Sequence, residues 1–153
     1  MVVFSFNKKA GKAAMIAVFA ALLIMLCALI SCERKDKIPP TSSNDEVGEF
    51  FTEVSDSDSL GEFLAQFGLK AAQKPLSEDE VTIPSDFGEQ YISYNKLQKK
   101  AGFDLSRFKG VTVNRVTLRG DNQRITLLIY KGHIIGGHLS TGEFGDSYKP
   151  LTG

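Results

Sequence analysis

The chain has 153 residues, in which 18 lysines and arginines balance 18 aspartates and glutamates, and it contains no tryptophan. This length suffices for one domain and excludes a multi-domain enzyme. The hydrophobic fraction of 42% and the charged fraction of 24% are globular values, which exclude a fully disordered chain, a collagen and a coiled coil. The charge is uneven, because residues 33–89 carry 14 acids and 5 bases whereas residues 90–153 carry 4 acids and 10 bases.

The first segment has the pattern of a membrane-targeting sequence. Lys8, Lys9 and Lys12 precede residues 13–30, which contain no charged residue and no proline. At about 1.5 Å per residue, a helix over this run would reach roughly 27 Å, close to the hydrocarbon thickness of about 30 Å. The apolar core of a cleaved signal peptide is usually about 7 to 15 residues long. The length therefore favours an uncleaved anchor.

The tetrapeptide Leu29-Ile30-Ser31-Cys32 ends this segment and resembles the bacterial lipobox, whose cysteine is lipidated and becomes the first residue of the mature protein. Cys32 is therefore a lipidation candidate, and a thiol at the end of a transmembrane helix is the alternative. Residues 1–32 are predicted to be a lipoprotein signal peptide or a single-pass membrane anchor. Because the lysines precede the apolar run, both alternatives leave the rest of the chain membrane-anchored and outside the cytoplasm.

Residues 33–57 are predicted to be a polar, flexible spacer, because they combine two adjacent prolines with a serine-rich and acid-rich composition. Within them, Val47, Phe50, Phe51 and Val54 have helical spacing, so order could begin before residue 57. Residues 58–153 are predicted to form one small globular domain. Both cysteines of the chain lie before residue 33, so no disulfide can stabilise this domain and it depends on its hydrophobic core.

A short helix is predicted from four apolar residues that share one helical face: Leu60, Phe63, Leu64 and Phe67. Asp58 or Ser59 is its predicted N-cap, and Gly68 its predicted end. After a brief strand at residues 81–83, a second helix is predicted from side chains at helical spacing: Phe87, Tyr91, Tyr94, Leu97 and Gln98. Pro84 and Ser85 predict its first turn and N-cap, and Gly102 predicts its end.

Residues 111–118, 124–130 and 133–139 are runs typical of strands, joined by short connections at 120–123 and 131–132. They predict an antiparallel meander in which residues 124–130 are the central, most buried strand. We expect the helices to cover one face of this sheet. Gly136-Gly137 predicts a bulge or the close approach of another backbone. The predicted fold class is α+β, with an N-terminal membrane or signal helix followed by two helices packed on a three- to four-stranded antiparallel meander.

The chain contains three motifs between about residue 60 and residue 142: Tyr94-Asn95-x-Leu97-Gln98, Gly102-Phe103-Asp104-Leu105, and Leu128-x-Tyr130-x-Gly132-x-Ile134-Ile135-Gly136-Gly137. This region resembles a bacterial family known as domain of unknown function 4830. The resemblance implies a short membrane or lipoprotein signal followed by one small domain, and it implies no activity. In the family pattern the first hairpin is longer, and an acidic residue often follows the two glycines, where this chain has His138.

The sequence predicts no catalytic, cofactor-binding or metal-binding residues. His133 and His138 are five residues apart in a strand, which places them on opposite faces unless a bulge intervenes. With a bulge, His138 could bind a metal together with Glu143 or Asp146, but surface or hairpin histidines are the favoured interpretation. A hydrolytic set of His138 with the serines nearby lacks the strand-turn-helix elbow that such chemistry uses.

The last third of the chain carries a basic set along the predicted strands: Arg107, Lys109, Arg115, Arg119, Arg124 and Lys131. Arg115 and Arg119 can share one sheet face, and Arg124 can join them across the hairpin. One interpretation is a cationic surface for an anionic ligand or for another protein of the cell envelope. The favoured alternative is a solvated sheet face that the acidic half of the domain neutralises. Nucleic acid is not an expected partner.

The absence of a catalytic pattern and the predicted tether favour a non-enzymatic domain of the cell envelope that binds a partner or ligand near the membrane. A small envelope enzyme, or a lipoprotein that assists one, is the second hypothesis, with His138, Glu143 or Asp146 as its residues. The third hypothesis is a structural or inhibitor-like module that presents an edge strand.

The substitution Cys32→Ser distinguishes the two kinds of anchor. If Cys32 is lipidated, the substitution should block both acylation and cleavage, so the unprocessed chain keeps its apolar run. If the segment is a single-pass anchor, the substitution should leave the size of the protein and its membrane retention unchanged. Mass spectrometry of the protein isolated from cells checks this. An intact residue 1–30 segment without acylation would exclude the lipoprotein, and free release of the wild-type protein into the medium would contradict both alternatives.

Overall fold

Short strands and two helices follow one another along the part of the chain that the computed structural model describes, residues 38–143 and 147–152. In chain order they are β1 (Thr41–Asn44), β2 (Gly48–Phe51), α1 (Ser57–Gln66), β3 (Ser77–Thr82), α2 (Glu89–Lys100), β4 (Thr112–Arg119), β5 (Arg124–Tyr130) and β6 (His133–Ser140). A 3-10 turn, Leu105–Phe108, lies between α2 and β4. β1 and β2 form a hairpin, and β3-β4-β5-β6 form a four-stranded antiparallel sheet. Two helices with antiparallel sheets agree with the predicted α+β class.

The predicted N-terminal helix, its apolar run at residues 13–30 and Cys32 lie outside the described residues. Among the residues that are described, no helix is long and apolar enough to cross a membrane.

β5 lies inside the sheet, between β4 and β6, as predicted. Its four residues 125–128 are all buried, so both faces of the strand are covered. Leu127 belongs to the main core cluster with Phe63 of α1. Its neighbour Thr126 pairs in register with His138, which is hydrogen bonded to Tyr94 of α2.

The two helices lie on opposite faces of the sheet, because adjacent strand residues point to opposite faces and Leu127 meets the α1 side whereas Thr126 meets the α2 side. The prediction that both helices cover one face is therefore wrong. A strand that is apolar on both faces is compatible with helices on either side, so the sequence pattern could not place them.

α1 begins at an N-cap that the sequence analysis placed two or three residues too late. The Asp56 carboxylate accepts a hydrogen bond from the backbone N–H of Ser59, and the Ser59 hydroxyl accepts one from the backbone N–H of Asp56. This reciprocal capping box lowers the pKa of Asp56. The predicted cap at Asp58 or Ser59 is wrong, but the apolar stripe is confirmed, with Phe63 and Leu64 buried.

Residues 41–51 form the β1–β2 hairpin, although the sequence predicted a flexible spacer there or, alternatively, a helical stripe. The turn closes because Asn44 Oδ1 accepts hydrogen bonds from the backbone N–H groups of Glu46 and Val47, and Gly48 follows with a φ of 80°. The compact unit of the chain accordingly starts at about residue 39, well before the predicted boundary at residue 58.

Phe50 attaches this hairpin to the core. Its side chain is only 1% exposed, and its ring packs edge-to-face against Phe63, Phe67 and Phe103. Phe51, the next residue of β2, points the other way and is 69% exposed. Together with the hydrogen bonds of the turn, this ring orders the segment, and helical spacing does not detect a contact made by one strand residue.

Two strand edges are covered by other parts of the chain. The Gln66 side-chain amide donates to the backbone oxygen of Phe51 and accepts from its N–H, in the way a neighbouring strand would. Along β6, the backbone oxygen of Thr52 accepts from the N–H of Ile134, and the N–H of Val54 donates to the Gly132 oxygen. The hairpin and the sheet are thus linked through main-chain hydrogen bonds.

α2 starts at Glu89 after an N-cap residue, Gly88, that makes no side-chain capping bond. The predicted cap at Ser85 and first turn at Pro84 are wrong, because residues 84–88 form no helix and only lead into it. The predicted end at Gly102 is confirmed. Gly102 has a φ of 90°, and a Cβ atom there would lie 2.5 Å from the backbone oxygen of Ser43, so the position requires glycine.

We expect Phe50→Ala to cost about 3 to 5 kcal/mol in free energy of unfolding, because it removes an aromatic ring from a packed site. Phe51→Ala, one residue further on an exposed face, should change it by less than about 0.5 kcal/mol. Urea unfolding of the full chain in detergent, followed by circular dichroism, measures both. Equal costs for the two variants would contradict the assignment of the hairpin to the core.

Candidate functional site

α2 carries two buried polar side chains, Asn95 and Gln98, and Gln98 joins the helix to the sheet. The Gln98 Oε1 atom accepts a hydrogen bond of 2.8 Å from the backbone N–H of Gly137 in β6. The register between β5 and β6 shifts next to this point, and a Cβ atom at Gly136 would lie 2.9 Å from Oε1. The irregularity predicted at the glycine pair falls beside it, at Ile135, and the group that approaches Gly136 is a side chain. The predicted backbone approach is found at Gly137, where a Cβ atom would lie 2.8 Å from the backbone oxygen of Thr126.

Asn95 joins α2 to the 3-10 turn that follows it. Its Oδ1 accepts from the backbone N–H of Leu105, and its Nδ2 donates to the carboxylate of Asp104. Burial raises the pKa of Asp104, but hydrogen bonds from Ser106 and Asn95, with Lys99 at 3.2 Å, outweigh burial and lower it. These bonds fix the end of α2, and hence the direction in which its tyrosines point.

Between α2 and the sheet lies a cavity of about 320 Å³, which we call the aromatic groove. Its lining consists of three tyrosines, one histidine and other residues of α2, the sheet and the segment after β3: Tyr91, Tyr94, Tyr148, His138, Val81, Thr82, Ile83, Gln90, Arg115, Thr126 and Leu128. Tyr94 is central, with ring centroids 5.6 Å from Tyr91 and 5.8 Å from Tyr148. The His138 ring lies 4.2 Å from that of Tyr148. The groove is thus an aromatic wall above a mostly apolar floor.

Tyr94 and His138 form one hydrogen-bonded unit, with 2.9 Å between Oη and Nδ1. Burial raises the pKa of Tyr94 well above its usual value. Burial, and secondarily the charge of Arg115, lowers the pKa of His138 to about 4. At neutral pH the tyrosine therefore keeps its proton and the imidazole is neutral, so the hydrogen bond joins two uncharged side chains.

The carboxyl-terminal segment places Tyr148 in the groove. Lys149 forms two backbone hydrogen bonds with Leu139 of β6, and Leu151 is fully buried in the core. The sequence of this segment predicts no helix or strand, because a short run rich in glycine and polar residues has no periodicity. Tyr148 and the buried Thr126 are therefore site residues that the sequence did not single out.

The three arginines predicted as a basic surface, Arg115, Arg119 and Arg124, fall on the α2 face of the sheet. Arg115 and Arg119 lie at alternate positions of β4, and Arg124 pairs with Arg119 across the β4–β5 hairpin. Only Arg115 reaches the aromatic groove. Its guanidinium donates two hydrogen bonds to the carboxylate of Asp79, of which the Nη2 bond is 2.5 Å long, and this carboxylate raises the pKa of Arg115.

The register shift also brings His133 and His138 onto the same face, which the sequence analysis had expected only if a bulge intervened. His133 contacts the Thr52 hydroxyl at 3.5 Å, and His138 contacts Tyr94. No group of three or more histidine, cysteine or acidic side chains that could hold a metal is found within the described residues. Asp146, the other acid considered, lies outside them.

Comparisons with protein-family models, with curated proteins and with solved structures found no match for this chain. The groove itself is therefore the starting point for a functional proposal.

The buried His138 predicts acid sensitivity. Its pKa is about 4 in the folded chain and 6.5 in a free histidine, so between these values the unfolded state binds a proton that the folded state does not. The contribution of His138 to the free energy of unfolding should therefore be fully present above pH 6.5. It should fall by about 3 kcal/mol as the pH decreases to 4, at about 1.4 kcal/mol per pKa unit.

His138→Gln should remove this part of the pH dependence, and His133→Gln, which leaves the Tyr94–His138 pair intact, should keep it. Urea unfolding of the three proteins at pH 7, 5.5 and 4.5 measures the difference. Carboxylates such as Asp104 also make the free energy of unfolding pH-dependent at low pH in all three proteins. Only the difference in pH dependence between the variants therefore reports on His138. If the free energy of unfolding of His138→Gln depends on pH as steeply as that of the wild type, the assignment of this pH dependence to His138 is contradicted.

Proposed function

We propose that this protein is a membrane-tethered domain outside the cytoplasm that binds a small molecule in the aromatic groove. The observation that carries the proposal is the wall formed by Tyr91, Tyr94 and Tyr148 next to the apolar floor. Small-molecule sites are typically concave and mostly apolar, with a few polar groups that orient the ligand. Here those groups are the guanidinium of Arg115 and the side chains of Thr126 and His138.

The electrostatics of the groove favour binding over catalysis. A histidine with a pKa of about 4 is a weak base at neutral pH, and a tyrosine with a raised pKa is a weak acid. General acid–base catalysis works best with groups whose pKa lies near the operating pH. The Tyr94–His138 pair is better suited to fix the shape of the wall than to transfer protons.

The tether is proposed from the sequence alone. Three lysines precede an apolar run without charge, and Cys32 stands where that run ends. The resemblance to the bacterial family named above supports the same organisation, and membership of that family stays a prediction. A tether of either kind would keep the groove close to the membrane surface and its ligands within the cell envelope.

Tyr148→Ala tests the groove directly. We expect it to weaken the binding of 2-naphthamide, a neutral two-ring probe, by about twofold to tenfold, because an aromatic pair contributes about 0.5–1.5 kcal/mol beyond area burial. Equilibrium dialysis against the full chain in nanodiscs of zwitterionic lipid, with empty nanodiscs as the blank, measures the dissociation constant. The side chain is 54% exposed, so the thermal midpoint should change little.

Phe51→Ala is the matched control, because it removes an exposed aromatic ring on the hairpin, away from the groove. It should bind the probe as the wild type does. If the wild type shows no saturable binding, or if both variants weaken it equally, the groove is not the ligand site.

A further inference from the structure

A second cavity of about 530 Å³ opens on the same face of the sheet and continues the aromatic groove. The two cavities share Arg115, Thr126, His138 and Tyr148. The second cavity adds mostly polar groups, among them Thr117, Arg124, Ser140 and Glu143, and we call it the cationic pocket. A ligand larger than one ring could therefore occupy both cavities at once, with one part among aromatic side chains and another among polar ones.

The arginines of the cationic pocket differ in how far their charge is already compensated. Arg115 is engaged by the carboxylate of Asp79 through two hydrogen bonds. Arg124 has no ion pair among the described residues. Glu143 also lines the pocket, but its side chain is exposed and no ion pair joins it to Arg124 within those residues. Among the described residues, Arg124 is thus the guanidinium of this pocket that no carboxylate engages, and Glu143 is an exposed carboxylate at the same pocket.

Arg124 is also positioned by the backbone. Gly142 has a φ of 83°, and a Cβ atom there would overlap the guanidinium of Arg124, so the glycine allows the chain to lie directly against this side chain. Thr117 and Thr126, whose hydroxyls are 3.3 Å apart, stand on the adjacent strands. A guanidinium next to hydroxyl donors is suited to a carboxylate or a phosphate, which accept several hydrogen bonds at once.

We propose that the ligand of this protein is an organic anion with a planar apolar body, whose rings lie in the aromatic groove and whose carboxylate or phosphate binds Arg124 in the cationic pocket. This inference rests on the proposed function and specifies its ligand class. It assigns Arg124 a binding role, and it assigns Arg119, which lies on the same face but lines neither cavity, none.

Charge-matched probes test the proposal in the nanodisc assay described above. 2-Naphthoate and 2-naphthyl phosphate carry the rings of 2-naphthamide with an anionic group in place of the neutral amide. We expect at least one of the anions to bind at least fivefold more tightly than the amide, and the tighter one identifies the acidic group. Arg124→Gln should abolish the preference, whereas Arg119→Gln should retain most of it.

The outcomes separate this inference from the proposed function. If all three probes bind equally, or if Arg124→Gln and Arg119→Gln have the same effect, the anion site is refuted while the groove remains a binding site. If none binds, both fail. Unchanged affinity of Arg124→Gln for 2-naphthamide shows that the variant is folded, and Arg124→Lys, which keeps the charge, should restore part of the preference for the anion.

Discussion

The position of α2 depends on one buried hydrogen bond, the one that the side chain of Gln98 accepts from the backbone of Gly137. Gln98 is completely buried, and a buried N–H without an acceptor would cost about 1–3 kcal/mol. α2 must therefore dock where it can supply that acceptor, and only the missing side chain at Gly136 makes room for it. Tyr94 and Tyr91 precede Gln98 by about one and two helical turns, so the same bond fixes where the aromatic wall stands.

The sheet separates the main hydrophobic core of the molecule from the aromatic groove, which is the binding site proposed above. On the α1 side, aromatic and aliphatic residues form the main core, closed by the hairpin through Phe50. On the α2 side, the helix leaves a cavity between its tyrosines and the strands. Tyr148, at the exposed rim of that cavity, contributes to the groove but little to the main core, so the proposed site and the stability of the domain depend on different residues.

Much of the fold follows from local patterns, whereas most of the site does not. The stripe of α1 is periodic, the apolar residues of β5 form one short run, and Gly102 ends α2 as predicted. Each of these signals lies within a few neighbouring residues. The hairpin at residues 41–51 escaped prediction because many of the contacts that order it lie far along the chain. The ring of Phe50 packs on Phe63 and Phe103. Ser42 and Asn44 donate hydrogen bonds to the backbone just after α2. Of the three arginines, only Arg115 reaches the groove. Tyr148 lies in the groove because its neighbour Lys149 pairs with Leu139 of β6, a contact that residue spacing does not predict.

The covered strand edges have a consequence for how copies of the chain behave beside one another. Gln66 caps the free edge of β2, the segment from Thr52 to Val54 and the bridge at Lys149 cover β6, and β3 places Glu78, Asp79 and Glu80 on the remaining side of the sheet. Charged edge strands resist pairing with a second chain. On the tether proposed above, copies of the chain would meet one another far more often than in dilute solution. The covered and charged edges disfavour the pairing of such copies strand against strand.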